Sequence, residues 1–196
     1  DGGMISTNNS KAIKDLKTLS YHGWDQDPWE RHKKSLDNQK KLKHWNYSIT
    51  KLGFKYNMTD LMASIGIEQL KKLKYFNKSR EKIIKKYIKS LKNCKNLRPA
   101  FPYKFKNSSY WMFTIKCSKR DSLIGYLKSK GISTTVYIKP LPLHPLYKKY
   151  NHKIKNSLSE WKNLVTIPTY PNMSTNQLQY VIKNLIKFDR DYNLYD

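Results

Sequence analysis

Residues 52–73 read LGFKYNMTDLMASIGIEQLKKL and contain the strongest helix signal in the chain. Thr59 is a suitable N-cap because its hydroxyl accepts a hydrogen bond from the first turn, and Asp60 suits the positive end of a helix. Six apolar residues follow: Leu61, Met62, Ile65, Ile67, Leu70 and Leu73. Their spacing predicts a helix with a buried first half and an amphipathic second half. Gly66 within it indicates close packing.

A second amphipathic helix is predicted from about Lys78. Its apolar residues recur at three- and four-residue spacing: Ile83, Ile84, Tyr87, Ile88 and Leu91. Four lysines occupy the opposite face: Lys82, Lys85, Lys86 and Lys89. The pattern predicts one buried stripe and one solvated basic face.

The middle of the chain predicts a strand, a helix and a second strand with short connections. Residues 110–116 (YWMFTIK) favour a strand. Ser118 and Asp121 predict a capping box for the helix that follows, and Gly131 ends it. Residues 132–138 alternate in polarity, which predicts the second strand.

Both ends of the chain add shorter elements. Residues 4–7 favour a short strand, and Ser10 is a candidate cap for a helix after it. Residues 21–51 show no sustained period and predict a long ordered loop of the kind that often carries function. The proline-rich residues 140–145 predict an extended segment. A capping box formed by Ser174 and Gln177 predicts a final amphipathic helix, so the class is α/β or α+β.

The net charge of +25 raises the question of a polyanionic partner. Only five of the 39 basic residues are arginine, and the lysines are spread over every segment, whereas base and phosphate recognition favours arginine. Asn, Ile and Tyr are also abundant, a combination typical of a low-GC genome. We therefore expect solvated lysine faces and neither a specific nucleic-acid partner nor a membrane partner.

Several site types lack their signature. No apolar run reaches the roughly 18 residues that span a bilayer, and residues 1–4 lack the layout of a signal peptide, so we expect a cytoplasmic protein. Cys94 and Cys117 form no disulfide framework or CxxC pair. The five histidines show no metal-binding spacing, so we expect no metal site. Motif chemistry alone therefore leaves the activity open.

Residues 52–73 closely resemble a signature of the DegT/DnrJ/EryC1/StrS family of pyridoxal-phosphate-dependent sugar aminotransferases. Further blocks follow the order of that family: residues 1–8 (DGGMISTN), 22–23 (HG), 29–31 (WER), 131–140 (GISTTVYIKP), 144–147 (HPLY) and 166–173 (TIPTYPNM). The resemblance covers essentially the whole chain.

The resemblance implies the α/β fold of the type I pyridoxal-phosphate-dependent transferases, which is like that of aspartate aminotransferase. Residues 1–75 would be the C-terminal part of the large cofactor-binding domain with the substrate and dimer loop. Residues 76–196 would be the small C-terminal α/β domain. The lysine that forms the Schiff base is expected before Asp1, so no catalytic residue is assigned. The chain resembles the C-terminal half of such an enzyme and is expected to be inactive alone.

The resemblance also implies roles for individual residues at an active site shared between the two subunits of a homodimer. Lys55 and Asn57 match the stretch that reaches the cofactor phosphate of the partner subunit, and an ammonium or an amide can donate to a phosphate oxygen. Four further residues are implied substrate contacts: Trp29, Arg31, Tyr137 and His144. The family often has His at the position of Tyr137.

The activity implied is transfer of an amino group, from L-glutamate, to a keto nucleotide-sugar in amino-sugar and polysaccharide biosynthesis. Two alternatives stay open. Relatives with His in place of the lysine act as sugar 3-dehydratases with pyridoxamine phosphate, and the deciding position is outside this sequence. The chain could also be a non-catalytic basic fragment. The identity of the sugar and its ring position are not readable from these residues.

Overall fold

The computed structural model describes residues 3–36, 45–105, 108–150 and 154–195. The chain divides into two compact units, Asp1–Leu70 and Lys71–Asp196. The predicted division into a large and a small domain at residue 75 stays a prediction. The two units are described separately below.

The first unit contains α1 (Ser10–Ser20), α2 (Pro28–Ser35) and the beginning of α3 (Asp60–Leu91). The N-cap of α1 is Asn9 rather than Ser10, because the Asn9 side chain accepts from the N–H groups of Lys11 and Ala12. Residues 4–7 are not a strand, so that prediction is wrong. They are exposed and meet no neighbouring strand among the described residues.

Helix α2 lies inside the predicted long loop. Asp27 caps it by accepting from the Glu30 N–H at 2.8 Å, and Pro28 occupies its first turn. Both residue types favour a helix start. The eight residues of α2 are too few to show a hydrophobic period, which is why the sequence pattern missed it. Part of the predicted loop, residues 37–44, lies outside the described residues.

Helix α3 is a single helix of 32 residues, whereas the sequence predicted two helices. Thr59 acts as predicted, since its hydroxyl accepts from the Met62 N–H at 3.3 Å. Residues 74–78 (KYFNK) contain no Gly or Pro, so nothing in the sequence breaks the helix between the two predicted halves.

The first half of α3 is exposed, contrary to prediction. Leu61 is 73% exposed and Ile65 is 57% exposed. A β-carbon added at Gly66 would meet no atom within 4 Å, so the expected close packing is absent from the described residues. The apolar residues cover about two-thirds of the helix circumference, and burying them requires surfaces that the described residues do not supply.

The second unit contains a three-stranded antiparallel sheet in the order β1 (Arg98–Pro99), β2 (Phe113–Lys116) and β3 (Leu164–Ile167). Three helices accompany it: α4 (Arg120–Ser129), α5 (Lys155–Asn163) and α6 (Thr175–Arg190). Short 3-10 turns lie at Leu141–Leu143, Pro145–Tyr150 and Tyr192–Leu194. The predicted capping box of Ser174 and Gln177 is confirmed.

The core of the second unit includes side chains from the end of α3, the sheet, α4 and α6. The Tyr87 ring stacks parallel to Phe113 with centroids 5.2 Å apart, and its hydroxyl donates to the Pro168 carbonyl at 2.9 Å. Thr114 and Thr166 face each other across β2 and β3, with their hydroxyls 2.9 Å apart. The predicted apolar stripe of α3 is buried, and its lysine face is exposed as expected.

Residues 132–138 do not form the predicted strand. Only Thr135 pairs with β3, through two backbone hydrogen bonds to Thr166 of 3.0 and 2.8 Å. Gly131, at φ +70°, ends the preceding helix as predicted. The alternating pattern is present in the sequence, but a single bridge does not make a ladder.

Three local predictions also differ from the structure. The predicted strand of residues 110–116 is shorter, because it begins at Phe113. The predicted capping box at Ser118 is absent, since Lys119 is the N-cap without a side-chain cap and Asp121 instead accepts from Arg120 Nε at 2.8 Å. The proline-rich segment forms a 3-10 turn, closed by the Leu143 N–H donating to the Pro140 carbonyl at 2.9 Å.

Candidate functional site

In the first unit, residues 19–25 pair with residues 48–56 in an irregular antiparallel arrangement, which we call the ribbon. The Phe54 N–H donates to the Leu19 carbonyl at 2.8 Å, and the His22 N–H donates to the Phe54 carbonyl at 2.9 Å. The Tyr56 N–H donates to the Ser20 carbonyl at 2.9 Å. These bonds fix the backbone on both sides of Lys55.

Two glycines allow the ribbon to close. Gly23 has φ +77°, and a β-carbon there would lie 1.8 Å from the Lys51 carbonyl oxygen. A β-carbon at Gly53 would lie 2.2 Å from the Gly23 nitrogen. Any side chain at either position would push the two segments apart.

Lys55 lies in the ribbon, and Asn57 lies on the short segment that joins the ribbon to α3. Both residues are exposed. The Lys55 Nζ lies 4.2 Å from the centroid of the Tyr21 ring, a cation–π distance. Within the described residues the Asn57 side chain makes no hydrogen bond. An ammonium and an amide are therefore presented two residues apart, and both are able to donate to an anion.

Arg31 is packed rather than free. Its guanidinium lies 5.0 Å from the Trp24 ring centroid and 4.8 Å from that of Tyr47. These two rings lie 4.2 Å apart. The Arg31 Nε is buried and has no hydrogen-bond partner in the described part of the chain. A buried guanidinium nitrogen without an acceptor retains the capacity to donate.

A small cavity of about 80 Å³ lies beside Arg31 and is also lined by Asp25, Gln26 and Lys34. The Asp25 carboxylate accepts from the Ser48 N–H at 3.0 Å, and this hydrogen bond holds the pKa of Asp25 below its ordinary value. The Lys34 Nζ donates to the Gln26 side chain at 2.9 Å. The cavity therefore holds two cations against one carboxylate.

Trp29 lies apart from this cluster. It is 62% exposed and stacks on His32 with centroids 5.6 Å apart. The Lys33 Nζ lies 5.3 Å from its ring. The structure therefore does not bring Trp29 onto Arg31, because two positions of α2, about 200° around the helix axis, place them on nearly opposite faces.

The other two predicted substrate residues, Tyr137 and His144, belong to the second unit. Tyr137 contacts Trp111 edge to face at 5.1 Å and lines a cavity of about 500 Å³. His144 does not line this cavity; its N–H donates to the Leu141 carbonyl at 2.9 Å in the 3-10 turn. The sequence analysis did not single out Trp111, because its contact with Tyr137 and its place in the cavity arise only in the fold.

Two kinds of site receive no support from these residues. The described residues contain no group of three or more His, Cys, Asp or Glu placed to hold a metal ion. None of the described helices combines the length and apolar character of a membrane span.

The chain is similar to known proteins that are about twice its length. The uncharacterized protein MJ1066 of Methanocaldococcus jannaschii is 32% identical over 95% of this chain and 49% of its own length. The spore coat polysaccharide biosynthesis protein SpsC of Bacillus subtilis is 27% identical over 93% of this chain and 48% of its own length. The chain thus spans about half the length of the curated relatives it matches.

Among solved structures, the chain is similar to the PMP form of a putative sugar aminotransferase, Spr1654, of Streptococcus pneumoniae. The TM-score is 0.79 at 25% identity, with 94% of this chain and 46% of that chain covered. The chain has the mixed α/β architecture of the fold type I transferases and corresponds to the C-terminal half of these neighbours. Residues 1–186 match the sequence pattern of one family. The chain belongs to the DegT/DnrJ/EryC1/StrS aminotransferase family.

Proposed function

We propose that the protein to which this chain belongs uses pyridoxal phosphate to transfer an amino group from L-glutamate to a keto nucleotide-sugar. The family is one of aminotransferases, and a solved neighbour is a putative sugar aminotransferase in its PMP form. What we propose beyond the family is that this protein uses L-glutamate as the amino donor, a keto nucleotide-sugar as the acceptor and pyridoxal phosphate as the cofactor.

The observation that carries the proposal is the placement of Lys55 and Asn57. The ribbon holds the backbone on both sides of Lys55 and leaves both side chains exposed. A phosphate ester needs donors of this kind, and a lysine acts on it as a mobile point charge. These two residues fit a phosphate and would hold that of the cofactor.

The bound cofactor would supply the electron sink for moving an amino group between two carbonyl carbons. The residues of this chain would bind and orient around it. Lys55 would neutralise phosphate charge, and Asn57 would add a directional hydrogen bond. The proton-transferring lysine is not assigned to any residue of this chain.

We assign the substrate side to Trp29, Arg31, Tyr137 and His144. Arg31 is supported by its buried Nε without an acceptor, which fits a phosphate oxygen of the nucleotide. Trp29 is supported by its open ring face and Tyr137 by its place in a cavity. His144 rests on its sequence block alone.

We also propose that the working protein is a cytoplasmic homodimer. Support comes from the exposed apolar side chains on both sides of Lys55, including Leu52 at 88% and Leu61 at 73% exposure. Several exposed large apolar side chains grouped along one segment are typical of an interaction site. A second copy covering it would also exclude water from the phosphate donors.

The test is a spectroscopic half-reaction on the protein purified at the length that its own gene produces. After loading with pyridoxal phosphate, L-glutamate is added in the absence of any sugar. We expect the absorption band of the bound cofactor to shift, with one 2-oxoglutarate released per site. A keto nucleotide-sugar should then restore the band and gain the amino group.

Two results would contradict the proposal. Failure to bind pyridoxal phosphate would favour the alternative hypothesis that the chain is a non-catalytic basic fragment. Binding without release of 2-oxoglutarate, together with loss of a hydroxyl from a nucleotide-sugar in the presence of pyridoxamine phosphate, would establish the dehydratase instead.

A further inference from the structure

A cavity of about 500 Å³ lies in the second unit, outside the ribbon. Its floor includes the end of β3, where Thr166 and Ile167 are buried. The bridge between Thr135 and Thr166 holds one wall in place. The start of α6, at Gln177, closes another side. This volume lies within the range of small-molecule sites.

Aromatic rings form much of the cavity wall. Trp111 is 58% exposed although the residues directly after Met112 are fully buried in β2. Its ring meets Tyr137 edge to face, at an interplanar angle of 77°, which fixes the relative orientation of the two rings. A flat aromatic face packs well against the C–H face of a sugar ring, because the ring face is electron-rich and the C–H groups are weakly positive.

The wall also offers hydrogen-bonding groups that the protein does not use. The hydroxyls of Thr134, Tyr137 and Tyr170 make no hydrogen bond within the described residues. Gln177 accepts at its oxygen from the Ser174 N–H, which leaves its amide nitrogen available. Hydroxyl groups both donate and accept, as the hydroxyls of a sugar do.

Three other polar side chains of the lining are already satisfied. Thr166 is paired with Thr114, Thr169 donates to the Ile167 carbonyl at 3.1 Å, and Tyr180 donates to the Lys130 carbonyl at 3.1 Å. The unused donors and acceptors are therefore a subset of the lining, on residues 133–137, 170 and 177.

The cavity is also electrically neutral. Among the described residues that line it, none carries a charge, although the chain has a net charge of +25. A phosphate or a carboxylate held here would lack a counter-charge. The lining therefore suits an uncharged, hydroxylated ring.

We propose that this cavity binds the neutral hexose ring of the nucleotide-sugar, with Trp111 as its stacking platform and Tyr137, Tyr170 and Gln177 as hydroxyl partners. The choice of ligand rests on the proposed function, and the cavity would decide which sugar is accepted. Trp111, Tyr170 and Gln177 are specificity residues that the sequence analysis did not assign.

The test is calorimetric binding to the protein at its native length. The probes are UDP-N-acetylglucosamine and dTDP-glucose, with UDP and dTDP as their sugar-free controls. For at least one nucleotide we expect the sugar-bearing form to bind more tightly than the bare diphosphate. Trp111→Leu and Tyr137→Phe should each reduce that advantage about three- to tenfold and leave the bare diphosphate unaffected.

Tyr147→Phe is the matched control, because Tyr147 is 39% exposed against 40% for Tyr137 and does not line the cavity. Its affinities should be those of the parent protein. Melting temperatures identify any variant that fails to fold. If Trp111→Leu fails to fold, the affinities of Tyr137→Phe, which removes only one oxygen, test the inference.

Three results would overturn the inference. If the variants lose affinity for the bare and the sugar-bearing nucleotides equally, the cavity binds the base and not the sugar. Unchanged affinities in both variants, or no advantage for either sugar-bearing probe, would leave the cavity without a sugar. Amino transfer is measured in a separate assay. If the protein binds the sugar but transfers no amino group, the proposed function is wrong and the sugar site in the cavity still stands.

Discussion

The two ends of α3 have similar local chemistry and opposite surroundings. In the first eleven residues of the helix, apolar side chains such as Leu61, Ile65 and Leu70 face solvent. In the last nine, Ile83 and Tyr87 are among the residues buried by the second unit. Local sequence therefore sets the helix, whereas burial depends on a surface from elsewhere in the fold.

The contrast extends to the whole chain. All buried apolar residues among those described lie between Ile83 and Phe188. The described part of the first unit is held instead by backbone hydrogen bonds of the ribbon, by Gly23 and Gly53, and by the aromatic cluster around Arg31. The second unit has its own core, whereas the described part of the first unit leaves its apolar side chains largely exposed.

Matched leucine truncations give the largest expected difference between the two regions. Leu185 in α6 is fully buried, so Leu185→Ala should lower the free energy of unfolding by about 2–5 kcal/mol. Leu61→Ala should cost less than about 0.5 kcal/mol, since an exposed side chain leaves no cavity. Urea unfolding of the 196-residue chain, followed by circular dichroism, measures both. An equal decrease in the free energy of unfolding for the two variants would contradict the difference in burial between the two regions.

A pair of glycine substitutions tests the ribbon next. Gly23→Ala combines a positive φ with a clash against the Lys51 carbonyl and should cost about 2–4 kcal/mol locally. Gly131→Ala has a similar φ of +70° but open space around it, so about 1 kcal/mol is expected. The rate of hydrogen exchange at the His22 and Phe54 amides measures the local stability of the ribbon. Unchanged protection in Gly23→Ala would contradict the close approach.

A single buried hydroxyl should have a smaller effect. Tyr87→Phe leaves the Pro168 carbonyl without its donor and should cost about 1–2 kcal/mol. Tyr75→Phe is the control, because its hydroxyl makes only an exposed 3.4 Å hydrogen bond to Asn172. Thermal unfolding compares the two variants. A loss in Tyr75→Phe as large as that in Tyr87→Phe would show that burial does not set the cost.

The smallest expected effect concerns pH. The Ser48 N–H lowers the pKa of Asp25 from its ordinary value of 3.8, so the ionised carboxylate stabilises the folded ribbon. That contribution is present above the unfolded pKa and is lost as pH falls through the lower folded pKa. Asp25→Asn should remove this acid dependence from ribbon amide exchange. Asp121→Asn, in the second unit, should leave it intact, and a change there would contradict the assignment.

Features decided within one turn of chain were predictable from sequence. Thr59 and the pair Ser174 and Gln177 cap helices as expected, since a cap needs only its own first turn. Residues 132–138 failed as a strand because strand formation needs an edge to pair with, and only Thr135 finds one. Leu61 failed as a core residue because its cover is not among the described residues.

The candidate site shows the same division. Lys55 and Asn57 come from a contiguous motif, and the ribbon leaves both exposed. The cavity around Trp111 escaped sequence analysis because its wall combines segments such as residues 111–112, 131–137 and 166–173, which come together only in the fold. The packing of Arg31 against two rings likewise depends on Tyr47, sixteen residues away in the sequence.

Lys55 is proposed as a ligand of the cofactor phosphate, so its loss should weaken the binding of pyridoxal phosphate to the native-length protein. Loss of one charge-assisted hydrogen bond in Lys55→Ala should raise the Kd about 10- to 100-fold, whereas Lys82→Ala, on the solvated face of α3, should leave it unchanged. Equal affinities for the parent protein and Lys55→Ala would contradict the account.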